Sequence, residues 1–354
     1  MDTTKFVLDR KMLDEMKIFT STVKDTKSFM VKTSENGVYI YTDDNGITCS
    51  IAFPIEVTGV KDREFIINKA TISKLFGVTD RTVTFTIGDD KSLVIDIDGT
   101  KINSALEFDD VEIIDTSTLK GKQTIITKNR MMEIIALLSV PNNKFSSALR
   151  VLNFGGKSKY GNTSQIVVTD TPEFAKMKLS VRQDFIKYIT ALTKVDSQNV
   201  VFEVVDGFLV VSASHIKFVT DTLNIEIKDD EEVDTYTNVG NFKLSDISES
   251  IILLQKLMIP LEGVEQPTVD ISINVDKMLM RFTVTDLSGR NSTDVITLES
   301  VDGEAELSTL NVIPLISTLS KIVSDVVDIK SKDNSFVFQF GEEHITKIYM
   351  LKSI

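Results

Sequence analysis

The stretch Phe6-Val7-Leu8-Asp9-Arg10-Lys11-Met12-Leu13 decides how the rest of the chain is read. Its first residues alternate as a half-buried strand does, and the apolar positions then shift to helical spacing through Leu13, Met16 and Phe19. Asp9 stands at the change of period, where a short polar side chain can accept the orphan N–H groups of a first helical turn. The same passage returns at Phe65-Ile66-Ile67-Asn68, Ile125-Ile126-Thr127-Lys128, Met177-Lys178-Leu179-Ser180, Phe242-Lys243-Leu244-Ser245 and Leu307-Ser308-Thr309-Leu310. From starts at 6, 65, 125, 177, 242 and 307 the steps are 59, 60, 52, 65 and 65, and a sixth of the 354 residues is 59. A self-similar period of this size marks a repeat architecture. Asn68, Ser180, Ser245 and Thr309 are the expected caps of later helices, and Pro314 falls near the start of the sixth, where proline is tolerated.

Between the helical stripes the sequence reads as strands and tight turns. Phe29–Lys32, Val38–Thr42 and Thr48–Phe53 are separated by Glu35-Asn36-Gly37 and Asp43-Asp44-Asn45-Gly46, and Asn-Gly is a strong hairpin signal. Each repeat is therefore one short helix plus about four strands, an α+β fold. A unit of about 59 residues buries too little surface to stand alone, so repeats should pair. The acidic segments 108–112 and 228–234 read as connectors. Three similar domains follow, at 1–115, 116–230 and 231–354.

Composition narrows the chemistry. One cysteine, Cys49, excludes an internal disulfide framework and a multi-thiolate metal site and fits a reducing compartment. His215 and His344 are too few for a histidine metal cluster. No P-loop, nucleophile elbow or His-x-x-x-His pair occurs, and the acidic runs lack the ligand spacing of a calcium loop. The expectation is a protein without catalytic residues, metal or cofactor. The sequence holds no 18-residue apolar run and no signal-peptide layout at its start, so a cytoplasmic protein with no membrane partner is expected.

The net charge of -13 argues against a nucleic-acid partner only if the charge is evenly spread. It is not. The six helical windows hold 14 Lys and Arg against 7 Asp and Glu, which leaves +7 on the helices and -20 elsewhere. A basic helical surface on an acidic body can sit beside a polyanion while the rest repels it.

With these features the sequence resembles the DNA polymerase sliding clamps, specifically the bacterial and phage β-type clamp with three domains per chain. Short patches carry the likeness locally. Val168-Thr169-Asp170 with Phe174-Ala175 is similar to the family's Ala-Thr-Asp-Gly-x-x-Leu-Ala stretch, Leu152-Asn153 to its preceding Leu-Asn, and residues 348–354 to its apolar tail around a methionine. The family's Gly is Thr171 here, Pro172 intervenes, and the tail Met-Pro is Met350-Leu351. The resemblance implies a DNA-clamp fold, half of a closed ring, with two chains joined head to tail as a homodimer around double-stranded DNA. It also implies a DNA polymerase and an ATP-dependent clamp loader as partners, in a bacterial or infected-host cytoplasm.

The candidate DNA-binding residues are Lys11, Lys17, Lys24, Lys27, Lys74, Arg130, Arg182, Lys187 and Lys194, with Asn143 and Lys144 after the third helix. The alternative for each is an ordinary solvated helix face. For short apolar partner peptides the resemblance points to Leu152, Thr169, Phe174, Ile348, Met350 and Leu351, whose alternative is a core position at a strand end. For the dimer seam it points to Ile102, Leu257 and Met258, whose alternative is a capped edge in a monomer. Two other functions stay open: a non-catalytic multi-repeat interaction or structural protein, and an open monomer that holds DNA.

Overall fold

The computed structural model describes residues 3–76, 82–106, 121–139, 151–161, 165–225, 237–264, 267–298, 300–302, 305–322, 324–332 and 335–350. The two acidic connectors lie outside these residues. All six strand-to-helix passages form. The first repeat is β1 (Thr4–Leu8), α1 (Arg10–Thr22), β2 (Ser28–Ser34), β3 (Gly37–Asp43), β4 (Thr48–Phe53) and the short β5 (Thr58–Gly59). The second is β6 (Arg63–Asn68), α2 (Lys69–Leu75), β7 (Val83–Ile87), β8 (Ser92–Ile97) and β9 (Thr100–Ala105). The third is β10 (Lys122–Thr127), α3 (Lys128–Leu138), β11 (Val151–Phe154), β12 (Lys157–Gly161) and β13 (Gln165–Asp170). The fourth is β14 (Leu179–Arg182), α4 (Ile186–Leu192), β15 (Asn199–Val205), β16 (Phe208–Ala213) and β17 (Ile216–Asp221). The fifth is β18 (Thr237–Lys243), α5 (Leu244–Leu257), β19 (Thr268–Asn274), β20 (Leu279–Thr285) and β21 (Asn291–Thr297). The sixth is β22 (Ala305–Asn311), α6 (Val312–Leu319), β23 (Val326–Lys332), β24 (Ser335–Phe340) and β25 (Thr346–Met350). Each repeat thus runs strand, helix, three strands, with the two-residue β5 added in the first.

Two compact units emerge, Met1–Met132 with Phe185–Thr222, and Glu133–Asp184 with Leu223–Ile354. The first holds a five-stranded sheet, β5-β1-β7-β8-β9, and an eight-stranded sheet, β10-β15-β16-β17-β4-β3-β2-β6. The second holds an eight-stranded sheet, β14-β11-β12-β13-β25-β24-β23-β18, and a four-stranded sheet, β21-β20-β19-β22. Each eight-stranded sheet is two four-strand blocks from distant parts of the chain, joined at β17–β4 in one unit and at β13–β25 in the other. Strand pairing of this kind satisfies edges that either block would expose alone.

Of the five expected caps, Asp9 and Asn68 cap their helices, whereas Ser180, Ser245 and Thr309 do not. The Asp9 carboxylate accepts from Met12 N at 2.9 Å and the Asn68 amide oxygen from Ala70 N at 2.8 Å. Ser245 is not the fifth cap: it lies inside α5, and Asp246 instead accepts from Lys243 N at 2.9 Å. Asn311, not Thr309, caps α6, accepting from Ile313 N at 3.2 Å. Pro314 is the third residue of α6, where a missing N–H costs no helical bond. Ser180 lies in β14, and its hydroxyl donates to Ile225 O.

Turns take positive φ where a tight hairpin needs it. Asp98-Gly99 and Asp206-Gly207 each hold both central residues at positive φ, the type I′ geometry that matches strand twist. Gly37 (φ 144°) is required on packing grounds as well, since a Cβ there would stand 2.1 Å from Phe53 O.

The first unit's core centres on rings from both strand blocks. Phe19 of α1 lies 5.7 Å from Phe29 of β2 and 6.3 Å from Phe218 of β17, and Tyr188 of α4 lies 5.0 Å from Phe218, centroid to centroid. In the second unit α5 packs on α6, and Phe154 meets Phe174 at 4.9 Å.

Candidate functional site

Helix α1 buries Leu13, Met16 and Phe19, so Lys11 and Lys17 are left on its outer side. Lys11 spends its charge on Asp196, 3.3 Å away; both side chains are more than half exposed, and such a pair contributes little. Lys24 and Lys27 follow the helix in a loop that is tightly held from beneath. Lys69, at the start of α2, donates from Nζ to Val23 O and to Lys24 O (3.2 Å), and from its backbone N to Lys27 O (2.9 Å). A cation at the carbonyl end of α1 also complements the helix dipole. Thr26 Oγ1 lies 2.6 Å from Thr42 Oγ1 and donates to Asp43 O at 2.7 Å, while Asn45 Nδ2 donates to Asp25 Oδ2 at 2.7 Å. The backbone of this loop is thereby fixed while Lys24 and Lys27 remain exposed.

Beneath the loop Asp44 acts as a hub. Its side chain is fully buried and accepts from Asp25 N (3.2 Å), Tyr188 Oη (2.6 Å) and Lys187 Nζ (3.2 Å). Burial pushes the carboxyl up, but the hydrogen bonds from Tyr188 and Lys187, the Lys187 charge and the Asp25 N–H outweigh it. The carboxyl therefore sits below its ordinary value. Lys187, which also lies 4.6 Å over the Tyr188 ring, is committed to this hub rather than offered to a ligand. A second buried carboxylate, Glu15, accepts from Ser214 Oγ at 2.8 Å and meets His215 Nδ1 at 2.7 Å. His215 is a tie between α1 and the β16–β17 turn.

Of the remaining basic candidates, Lys17 and Lys74, at the C-terminal end of α2, and Lys194, just after α4, are exposed. Like Lys24 and Lys27 they form no ion pair among the described residues. Arg130 is half-buried in α3. Arg182 belongs to the second unit and pairs with Asp184. Asn143 and Lys144 lie outside the described residues. The exposed, uncommitted lysines Lys17, Lys24, Lys27, Lys74 and Lys194 therefore all belong to the first unit.

The peptide-groove candidates come out differently. Leu152, Thr169, Phe174, Ile348 and Met350 are at most 1% exposed. Thr169 Oγ1 lies 3.0 Å from Thr346 Oγ1 across the β13–β25 seam, and Met350 Sδ accepts from Thr318 Oγ1 at 3.4 Å. Thr169, Ile348 and Met350 lie on the two strands of that seam, while Leu152 is on β11 and Phe174 packs on Phe154; all five are buried, as the core alternative for these positions has it. Leu351 lies outside the described residues. At the expected seam, Ile102 is on β9, an edge strand of its sheet, and is half-buried. Leu257 is buried at the end of α5; Met258 is half-buried, and Ile259 beyond it is 73% exposed. Cys49 is buried in β4, and burial pushes its thiol well above the usual range, so it is unreactive.

Sequence reasoning missed Asp44, Tyr188 and Glu15. No local signal marks them: Asp44 reads as one residue of an Asp-Asp-Asn-Gly turn, and its side-chain partners Lys187 and Tyr188 lie more than 140 positions away.

Six strand–helix–three-strand repeats, with four strand blocks merged in pairs into two eight-stranded sheets, define the fold class of the β-clamps. Solved structures of that class match along essentially the whole chain. The DNA polymerase III subunit beta from Pseudomonas aeruginosa matches with a TM-score of 0.78 at 11% identity, over 99% of this chain and 100% of that one. The DNA polymerase sliding clamp from Bacillus subtilis matches at 0.76 and 12%, over 100% of both. The beta subunit from DNA polymerase of Streptococcus pyogenes matches at 0.74 and 13%, over 99% and 100%. No family model matches the sequence, and no curated protein matches it in sequence.

Proposed function

We propose that this chain is a DNA sliding clamp, a non-catalytic ring component that encircles double-stranded DNA and tethers a DNA polymerase. The observation that carries the reading is the β-clamp fold over the whole chain. The exposed Lys24 and Lys27, on a loop braced by Lys69, Asp25 and Thr26, add to it. Ammonium groups on long, mobile stems attract phosphates without reading sequence, and a modest number of them attracts DNA without pinning it. In this reading the repeats pair into three domains, 1–115, 116–230 and 231–354, and two chains close head to tail. The edge strand β9 with Ile102 would meet the partner near Leu257 and Met258, where the exposed Ile259 offers apolar surface. An ATP-dependent loader would open the ring, and short apolar peptides would dock near the β13–β25 seam. Thr169, Ile348 and Met350 would then act as the floor of that groove rather than as its contact surface.

Retention on DNA tests the proposal. A clamp stays on nicked circular DNA and runs off the same DNA once it is linearised, whereas equal retention on both would mean no topological link. Light scattering should find two chains of 39.5 kDa in one particle. Lys24→Glu/Lys27→Glu should reduce the salt-sensitive part of DNA association.

A further inference from the structure

The first residues of α2 and α3 are both lysines, Lys69 and Lys128, and both are half-buried. Each is spent in the same way on the segment that follows a neighbouring helix. Lys69 donates from its backbone N to Lys27 O (2.9 Å) and from Nζ to Val23 O and Lys24 O (3.2 Å), just beyond α1. Lys128 donates from its backbone N to Gln198 O (2.8 Å) and from Nζ to Val195 O (3.0 Å), just beyond α4. Val23 and Val195 are fully buried, so each clip grips the anchored end of its segment. Exposed lysines stand beside both: Lys24 and Lys27 on one segment, Lys194 at the start of the other. Asp196, which shares the second segment, is matched by Lys11.

The second unit supplies an internal comparison. The first residue of α6 is Val312, whose N donates to Pro267 O at 2.9 Å, so the backbone half of the clip is kept and the ammonium half is missing. The segment it holds, residues 258–267 after α5, contains no basic residue and shows Ile259 and Glu262 to solvent. The fold therefore makes this joint without an ammonium. Lysine takes the position where the segment it braces carries exposed cations.

We propose that Lys69 and Lys128 are positioning residues for duplex DNA: each fixes the backbone from which exposed lysines meet the phosphates, without touching the DNA itself. The inference rests on the clamp reading given above. An ammonium bonded to carbonyls at the C-terminal end of a helix complements the helix dipole and makes charge-assisted hydrogen bonds. With the backbone held in advance, DNA association orders only the lysine stems, and less conformational entropy is lost on binding.

The test uses the full chain and a fluorescein-labelled DNA duplex, titrated by fluorescence anisotropy at fixed low salt. Lys69→Met keeps the stem and removes the charge. It should weaken binding about fivefold or more where Lys24 and Lys27 are present, and less than about twofold where Lys24→Ala/Lys27→Ala has already removed them. Lys128→Met should behave in the same way against Lys194→Ala. Lys69→Arg, which can donate to the same carbonyls, should bind as the wild type does, and so should Lys5→Met, which makes the same charge change at an exposed position on β1. In the free protein, hydrogen exchange of Lys69→Met should quicken at residues 24–27 and stay unchanged in β2, β3 and β4. Equal weakening with and without Lys24 and Lys27 overturns the proposal, because Lys69 would then meet the phosphates itself. Quickened exchange throughout the first unit overturns it as well, by assigning the loss to the fold. Unweakened binding by Lys69→Met overturns the proposal alone, whereas failure of the wild type to bind the duplex overturns the clamp reading and the proposal with it.

Discussion

The seam where β17 meets β4 and the seam where β13 meets β25 join equivalent blocks in the same antiparallel way, but opposite chemistries hold them. The first is backed by buried carboxylates: Asp44 with Tyr188 and Lys187, and Glu15 with Ser214 and His215. The second is backed by hydroxyls and apolar side chains. Thr169 faces Thr346, Thr318 Oγ1 donates to Gln165 Oε1 at 3.2 Å, and Val168, Val337 and Tyr349 cluster beside them. One architecture therefore tolerates both solutions, because the sheet ladder supplies the joint and the side chains supply only its reinforcement. The two differ in how they fail. A buried charge left without its partner is far more costly than a neutral side chain trimmed from a packed seam.

The largest effect should come from Asp44→Ala, which strands Tyr188 Oη, Lys187 and the Asp25 N–H together. It should cost the first unit about 3 to 5 kcal/mol in denaturant unfolding, with the second unit's transition unmoved. Because the folded Asp44 carboxyl lies below its ordinary value, its contribution is present at neutral pH and fades only as the pH falls through the acid range.

Next is Lys321, in the second unit, whose Nζ donates to Leu137 O at 3.1 Å and whose pKa burial lowers to about 8 from 10.5. Between those values the unfolded chain holds the extra proton, so stability should rise with pH across that window, by about 2 to 3 kcal/mol. Lys321→Met should flatten the rise; a pH profile of the unfolding midpoint that the substitution leaves unchanged would assign the effect elsewhere.

Smaller again is Thr169→Val, which leaves the Thr346 hydroxyl buried without its partner, at a cost of about 1 to 2 kcal/mol. The double variant Thr169→Val/Thr346→Val should cost less than the single one, since both hydroxyls are then removed, and a double-mutant cycle reads the difference. The smallest change in stability, within about 0.5 kcal/mol, is expected for Lys24→Glu/Lys27→Glu, because exposed side chains on a braced loop serve a ligand rather than the fold.

Much of the fold was legible because its signals are local. The period near 59, the shift from alternation to helical spacing and the Asp-Gly and Asn-Gly turns each rest on residues a few positions apart. Asp9 and Asn68 were readable as caps for the same reason, while the α6 cap was read two residues early, at Thr309 instead of Asn311. The candidate site was less legible. Lys24 and Lys27 stand out as exposed cations in the chain and in space, but Lys187 looked equivalent and is instead bound to Asp44.

By itself the sequence determined the repeat, the secondary structure within it and the division of charge between helices and the rest. Those depend on backbone geometry and side-chain periodicity over one or two turns. Which blocks share a sheet was decided only by tertiary structure. Strand edges are alike in their hydrogen bonding, and what selects β4 for β17 and β25 for β13 is the burial of groups far apart in the chain. Asp44 with Tyr188, Glu15 with His215 and Thr169 with Thr346 acquire their environments, and with them their roles, only once those edges meet.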